Sequence, residues 1–112
     1  MSEPGPSVCV ALTTCPDEGT ARRIAAALVD ERLAACVNIV PDLTSIYRWE
    51  GAVETAPECL LIVKTRRELL EDLRRRLAAL HPYEIPELVA LPVEGGSPTY
   101  LKWVVEETGS AT

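Results

Sequence analysis

The sequence predicts an α+β protein with the ferredoxin-like order β-α-β-β-α-β and an additional C-terminal helix. Two observations lead to this fold class. Strand-like apolar segments and amphipathic helical segments alternate in this order, and the two central strands are joined by a tight turn. Right-handed crossovers then place both helices on one face of the sheet. A chain of 112 residues is a single domain by its length. We assign that domain to residues 1–112, with a core of about residues 7–107 and flexible ends.

The first half of the chain contains a strand, a helix and a long extended segment. Residues 7–14 are apolar and β-branched, which is typical of a strand covered on both faces. Apolar residues between positions 21 and 29 recur at helical spacing and predict a helix over about 17–33. Residues 36–49 are extended again but contain Pro41-Asp42. Because proline donates no ladder hydrogen bond, these two residues predict a bulge or an edge position.

A long hairpin is predicted at the centre of the chain. Residues 50–52 form a plausible turn, since Gly51 accepts the positive φ that tight turns require. The strand that follows, residues 53–64, extends about 40 Å at roughly 3.3 Å per residue. A compact chain of this length has a radius of gyration of only about 13 Å. We therefore expect the hairpin to protrude, and its exposed apolar edge predicts pairing with other copies of the chain.

The second half of the chain adds a helix, a short strand and a terminal helix. Residues 65–68 (TRRE) match a capping box in which Thr65 caps the next helix. That helix is predicted to end near His81, because proline follows it. Residues 88–92 are typical of a short strand, and Ser97-Pro98 is typical of a helix start. Strands that are apolar on both faces also predict that the face without helices is covered, which favours a homo-oligomer.

The charge balance argues against two classes of partner. Seventeen acidic and eleven basic residues give a net charge of −6 and a pI near 4.8, which is the wrong sign for binding nucleic acid or an anionic membrane. No apolar run approaches the roughly 18 residues that a membrane span needs. The first residues also lack the charged and apolar regions of a signal peptide. We therefore expect a cytoplasmic protein that binds neither nucleic acid nor membrane.

Three segments resemble motifs of one known family, and they occur in the expected order. They are residues 34–41 (AACVNIVP), 44–51 (TSIYRWEG) and 81–88 (HPYEIPEL). The family is that of the divalent-cation tolerance proteins, CutA, and the resemblance spans about residues 8–105. It implies a homotrimer with an architecture similar to PII-type nitrogen regulators. It also implies a role in tolerance of copper and other divalent metals, and it implies no enzymatic reaction.

Candidate metal ligands lie near the third motif. His81, Glu84 and Glu87 fall within seven residues, and imidazole and carboxylate groups suit copper or zinc. Cys15 is a further candidate, because it stands in turn-like sequence where we expect it to be exposed. A thiolate would add a preference for Cu(I). The alternative is that His81 stabilises the C-terminal dipole of a helix while the neighbouring prolines shape a rigid turn at a subunit contact.

The family resemblance concerns the position of the candidate cysteine ligand, Cys15. In some members of the family a cysteine late in the first strand is proposed as a copper ligand, together with groups near the His-Pro-Tyr segment. Here Thr13 and Thr14 occupy that neighbourhood. The remaining cysteines, Cys9, Cys36 and Cys59, lie in apolar segments, where a reduced thiol usually behaves as a small hydrophobic group.

A second candidate site combines Tyr47, Trp49, Lys64 and Tyr83. These residues are candidates to line a pocket between subunits for a small anionic ligand, the position at which PII-type trimers bind effectors. The alternative is ordinary interface packing, since Trp and Tyr are enriched in interface cores. Lys64 discriminates between the two, because a lysine that ends an apolar strand needs a carboxylate, a ligand or water.

A cysteine-dependent enzyme is the third hypothesis. It requires a thiol of depressed pKa beside a base, and the one histidine of the chain is His81. The sequence contains no Gly-rich phosphate loop and no catalytic serine motif. Together with what the family resemblance implies, this predicts a non-enzymatic homotrimer that contributes to copper tolerance and binds copper or another divalent ion. The alternative prediction is a PII-like signalling or scaffold trimer that binds a small ligand between subunits.

Overall fold

The computed structural model describes residues 7–109, so the predicted flexibility of residues 1–6 and 110–112 lies outside the described residues. The elements are β1 (Val8–Cys15), α1 (Glu18–Asp30), β2 (Cys36–Trp49), β3 (Ala52–Arg66), α2 (Leu70–Leu80), β4 (Val89–Pro92) and α3 (Pro98–Glu106). This order confirms the predicted α+β class and the additional C-terminal helix. No helix within the described part of the chain is both long enough and apolar enough to cross a membrane.

The four strands form one antiparallel sheet in the order β2-β3-β1-β4. β1 pairs with β3 along its whole length, from Val8 opposite Arg66 to Cys15 opposite Cys59. The short strand β4 pairs with the other edge of β1. Since β1 and β3 are both central, their backbones pair with a strand on each side. This is the strand order expected of the ferredoxin-like arrangement.

The hydrophobic core lies between the two crossover helices and one face of the sheet. It is aliphatic, as the scarcity of aromatic residues requires. Its buried members include Ile24 and Leu28 of α1, Leu73 and Leu77 of α2, and Ala11, Leu61 and Val63 of the sheet. Each of the large side chains is essentially inaccessible to solvent, so burial of this face is the main source of stability. The prediction that both helices cover the same face is confirmed.

Helix ends follow local capping rules in two of the three helices. Asp17 precedes α1, and its carboxylate accepts from the Thr20 backbone N–H at 2.7 Å. Ser97 caps α3 in the same way, followed by Pro98 at the first helical position. The capping box predicted for α2 is wrong. Thr65 lies in β3 with its hydroxyl donating to the Leu33 carbonyl at 2.7 Å, and a short 3₁₀ turn leads into α2 instead.

The β2-β3 hairpin extends away from the helical layer, as predicted. Its turn consists of Glu50 and Gly51, whose φ values are 49° and 82°, the combination of a type I′ turn. The register shifts between Val40 and Leu43, so Pro41-Asp42 forms the predicted bulge. The molecule measures 51 × 27 × 23 Å with a radius of gyration of 15.0 Å. That radius exceeds the roughly 13 Å of a compact chain because the hairpin is long.

The second face of the sheet is only partly covered, and α3 provides that cover. Arg66 donates from Nε to the Thr108 hydroxyl at 2.8 Å and from Nη2 to the Thr108 carbonyl at 3.0 Å. Gly109, expected in the flexible tail, is held by hydrogen bonds to Arg32 through its N–H at 2.8 Å and its carbonyl at 2.9 Å. The rest of this face stays open, with Val40, Val89 and Leu91 exposed by 41%, 51% and 54%.

Candidate functional site

A cavity of about 640 Å³ lies between the hairpin and the segment that follows α2. β2 and β3 form one wall, and residues 82–87 form the other. The lining residues are Thr14, Ser45, Ile46, Tyr47, Trp49, Glu58, Pro82, Tyr83, Glu84, Ile85 and Glu87. Carboxylates and aromatic rings therefore share the same space, and the lining contains no lysine or arginine.

A buried carboxylate and a tyrosine meet at the inner end of this cavity. The Tyr83 hydroxyl donates to Glu58 Oε2 at 2.6 Å, and Glu58 is only 8% exposed. Burial and the hydrogen bond to the Glu58 carboxylate raise the pKa of Tyr83 well above its ordinary value. The phenol therefore stays protonated and holds the carboxylate in place at the bottom of the cavity.

His81 anchors the segment that forms the second wall. Its Nε2 lies 2.7 Å from the Thr14 carbonyl, and its Nδ1 accepts from the Tyr83 backbone N–H at 3.1 Å. Because Nδ1 accepts, Nε2 carries the proton and donates to Thr14. The ring also stacks obliquely on Tyr83, with centroids 4.6 Å apart. Both ring nitrogens thus have partners, and the side chain ties the segment to the end of β1.

The four predicted metal ligands do not come together. Glu84 and Glu87 are exposed and line the cavity, whereas His81 is buried behind it with both nitrogens bonded. The predicted exposure of Cys15 is wrong, because this residue is completely buried at the end of β1. Burial raises the pKa of its thiol to about 11. Across residues 7–109, no group of three or more His, Cys, Asp or Glu side chains is arranged to hold a metal ion.

The second predicted set is only partly assembled within one chain. Tyr47, Trp49 and Tyr83 line the same cavity, but Lys64 lies outside it, near the other end of β3. There its ammonium group donates to the Asn38 side chain, which stands on the neighbouring strand opposite Ile62. The cavity therefore carries three carboxylates, those of Glu58, Glu84 and Glu87, without a basic residue. This chemistry suits a cation better than an anion.

Sequence reasoning missed Glu58 as a residue of the site. The available signal was a carboxylate placed directly before the apolar run of residues 59–63, where an acidic side chain is buried with the strand and needs a partner. Its partner, Tyr83, is 25 positions away, and no local spacing connects the two residues. Only the packing of the segment after α2 against β3 brings them together.

The fold and the cavity define a small α+β protein with an acidic, aromatic cavity between a long hairpin and the segment that follows α2. Comparison with known proteins gives this class a family. Residues 9–107 match the family model described as CutA1 divalent ion tolerance protein. The chain is 58% identical over 100 residues to the divalent-cation tolerance protein CutA of Thermus thermophilus, an alignment that covers 89% of this chain and 97% of that protein.

Further relatives agree with this assignment. A CutA protein of Mus musculus is 49% identical over 106 residues, which cover 95% of this chain and 60% of the mouse protein. A solved structure of CutA from Xylella fastidiosa superposes with a TM-score of 0.89 at 44% identity, covering 92% of this chain and 99% of that one. The chain belongs to the CutA family of divalent-cation tolerance proteins.

Proposed function

We propose that this protein contributes to metal tolerance by binding a divalent cation, with copper as the first candidate, in the cavity between the hairpin and the segment that follows α2. The observation that carries the proposal is the lining, which holds three carboxylates and no basic residue. Carboxylate oxygens are ordinary ligands for divalent metals, and the net charge of −6 adds a favourable long-range field.

The proposed ligands are the carboxylates of Glu84 and Glu87, which are already exposed to the cavity. His81 joins them only by giving up its hydrogen bond to Thr14 or to the Tyr83 backbone. We therefore propose that His81 first of all positions the segment that carries both glutamates. Cys15 is buried on the other side of the sheet end and is left out of this ligand set.

Assembly into a homotrimer is part of the proposal. Val40, Val89 and Leu91 lie on the open sheet face and are 41–54% exposed, and apolar patches of this kind mark protein contacts. Ile46 and Trp49 on the hairpin are exposed as well. Both β2 and β4 are edge strands, which need cover from another chain or element.

Native mass spectrometry with stoichiometric Cu(II) tests the binding site. We expect the wild-type protein to retain copper, and the double variant Glu84→Gln/Glu87→Gln to lose at least tenfold in affinity. The matched control is Glu94→Gln/Glu106→Gln, which removes the same charge at exposed positions outside the cavity and keeps wild-type affinity. A metal-free wild-type trimer, or equal losses in both double variants, would contradict direct binding at this site.

Copper affinity of His81→Ala separates the two roles of the histidine. A ligand role predicts loss of copper from a folded protein. A positioning role predicts loss of thermal stability, because Thr14 and the Tyr83 N–H are left without partners, with most of the copper affinity retained once the protein is folded. Unchanged stability and unchanged affinity together would exclude both roles.

The alternative function is a PII-like signalling or scaffold trimer. Two features of the cavity favour this function. Its volume of about 640 Å³ is within the range of small-molecule sites, and aromatic side chains form part of its walls. A thermal-shift screen of nucleotides and small anions tests it, since a ligand of the native state raises stability. No thermal shift with any compound of the screen would exclude this function.

The proposal also covers whether the protein is an enzyme and where in the cell it is located. We propose a non-enzymatic role, because the relatives are described as tolerance proteins and the buried His81 has no cysteine among its hydrogen-bond partners. We propose the cytoplasm as the location on the basis of composition. Relatives in other organisms are named chloroplastic, in Arabidopsis thaliana, and periplasmic, in Archaeoglobus fulgidus.

A further inference from the structure

Glu58 is a buried carboxylate without a positively charged partner. Only 8% of this residue is exposed, and its Oε2 accepts from the neutral Tyr83 hydroxyl. None of the ion pairs formed by residues 7–109 involves Glu58, Glu84 or Glu87. Burying a carboxylate is unfavourable unless a cation compensates its charge. The uncompensated charge of Glu58 therefore indicates that the cavity receives its positive charge from a ligand.

The three carboxylates of the cavity are spread over its two walls. Glu58 belongs to β3, whereas Glu84 and Glu87 belong to the irregular segment after α2. Across residues 7–109, no group of three or more His, Cys, Asp or Glu side chains could hold one metal ion. The cavity measures about 640 Å³, and one water molecule accounts for only about 30 Å³ of liquid. Separate charges around a space of this size match an extended molecule that carries several positive groups.

Aromatic side chains form the apolar part of the same cavity. Tyr47 and Trp49 stand on β2 and are 43% and 40% exposed, and Tyr83 lies on the other wall. The faces of aromatic rings attract cations, and organic ammonium groups are recognised in this way. Rings also pack against methylene groups, which an inorganic ion does not offer. The combination of rings and carboxylates therefore favours an organic cation over an inorganic one.

We propose that the cavity binds a linear aliphatic oligoamine. One ammonium group pairs with Glu58 at the inner end, and the others pair with Glu84 and Glu87 on the opposite wall, each as a charge-assisted hydrogen bond. The methylene groups between them pack against Tyr47 and Tyr83. This inference rests on the proposed cation-binding cavity, because it uses the same two exposed glutamates, and it adds the class of ligand that the buried carboxylate and the rings select.

The test is isothermal titration calorimetry of the metal-free, full-length protein with spermidine, in about 0.15 M salt to screen non-specific attraction to the acidic surface. We expect the wild-type protein to bind one spermidine per chain. Glu58→Gln should lose at least tenfold in affinity, since its amide oxygen still accepts from Tyr83 but carries no charge. The matched control is Glu94→Gln, which removes a charge at an exposed position outside the cavity and should keep wild-type affinity.

A second variant removes one aromatic ring without changing any charge. Tyr47→Leu keeps an apolar side chain but loses the ring face, so spermidine affinity should fall by about three- to tenfold. The matched control is Tyr100→Leu, because Tyr100 has a similar exposure of 42% but lies on α3 outside the cavity. No binding by the wild-type protein, equal losses in the two leucine variants, or equal affinity for Mg(II) and spermidine would each overturn the proposal.

Titration of the same variants with Cu(II) separates this inference from the proposed function. Glu58→Gln and Tyr47→Leu leave Glu84 and Glu87 in place, so both variants should keep wild-type copper affinity. Copper retention by a wild-type protein that does not bind spermidine would overturn the oligoamine proposal and leave the metal site standing. Spermidine binding by a wild-type protein that retains no copper would support the oligoamine proposal and contradict the metal site.

Discussion

Two buried threonines on the helix-covered face of the sheet differ in their hydrogen bonding. Thr65 is fully buried, and its hydroxyl donates to the Leu33 carbonyl at 2.7 Å. Thr13 stands on the same face of β1 and is 1% exposed, but its hydroxyl has no hydrogen-bond partner among the described residues. An unpaired buried hydroxyl costs about 1–3 kcal/mol. Two residues of one type, in one layer of the core, therefore have opposite effects on stability.

We predict that Thr13→Val stabilises the protein by about 1 kcal/mol, since the change removes an unpaired hydroxyl and keeps a similar shape. Thr65→Val should destabilise it by about 1–3 kcal/mol, because the Leu33 carbonyl loses its donor. Urea unfolding of both variants gives the two free energies. If both variants lose stability equally, the Thr13 hydroxyl has a partner, and the proposed contrast is wrong.

At the scale of elements, the hairpin depends on three residues with left-handed backbone. Asp42 in the bulge has φ 59°, and Glu50 and Gly51 in the turn have φ 49° and 82°. Glycine adopts this conformation readily, whereas a side chain with a Cβ is strained there. A type I′ turn favours Asn-Gly, so Glu50 is a poor choice for the first position of this turn.

We predict that Glu50→Asn stabilises the hairpin by a few tenths to about 1 kcal/mol, because asparagine tolerates positive φ better than glutamate. Gly51→Ala is the opposite change and should cost about 1–2 kcal/mol. Thermal unfolding of the two single variants measures both effects. Equal and negligible shifts would show that the turn is not part of the cooperative unit that unfolds.

The start of α2 shows why the capping box predicted from residues 65–68 did not form. Thr65-Arg66-Arg67-Glu68 has the composition of a capping box, but the ladder with β1 continues through Arg66. The β1-β3 pairing therefore keeps the Thr65 backbone extended, and its hydroxyl bonds across to Leu33. Pairing along eight residues of β1 outweighs one cap, which contributes about 1 kcal/mol.

At the scale of the whole molecule, the elongated shape leaves apolar surface that one chain cannot cover. The long axis of 51 Å reflects the hairpin, which carries Ile46, Trp49 and Val53 at 71%, 40% and 64% exposure. Helices cover one face of the sheet, and α3 covers only part of the other. Exposed side chains of this size on an edge hairpin favour association between copies.

We predict that Trp49→Asp impairs assembly, because it places a charge in an apolar contact. Native mass spectrometry should show a shift from the proposed trimer towards the monomer. The matched control is Val29→Asp, since Val29 has a similar exposure of 43% but lies on α1, away from the hairpin. A Trp49→Asp protein that remains fully assembled would exclude the hairpin from the interface.

The sequence by itself determined the element order, the bulge, the turn and the helix ends at His81 and Ser97, because each depends on residues close along the chain. It also carried the motifs that belong to the CutA family. The tertiary structure alone decided which side chains meet. Glu58 reaches Tyr83 and Cys15 lies opposite Cys59 only through register and packing. Burial places Cys15 and His81 apart from the exposed Glu84 and Glu87. Contacts between distant positions depend on how layers pack, and no local spacing encodes that packing.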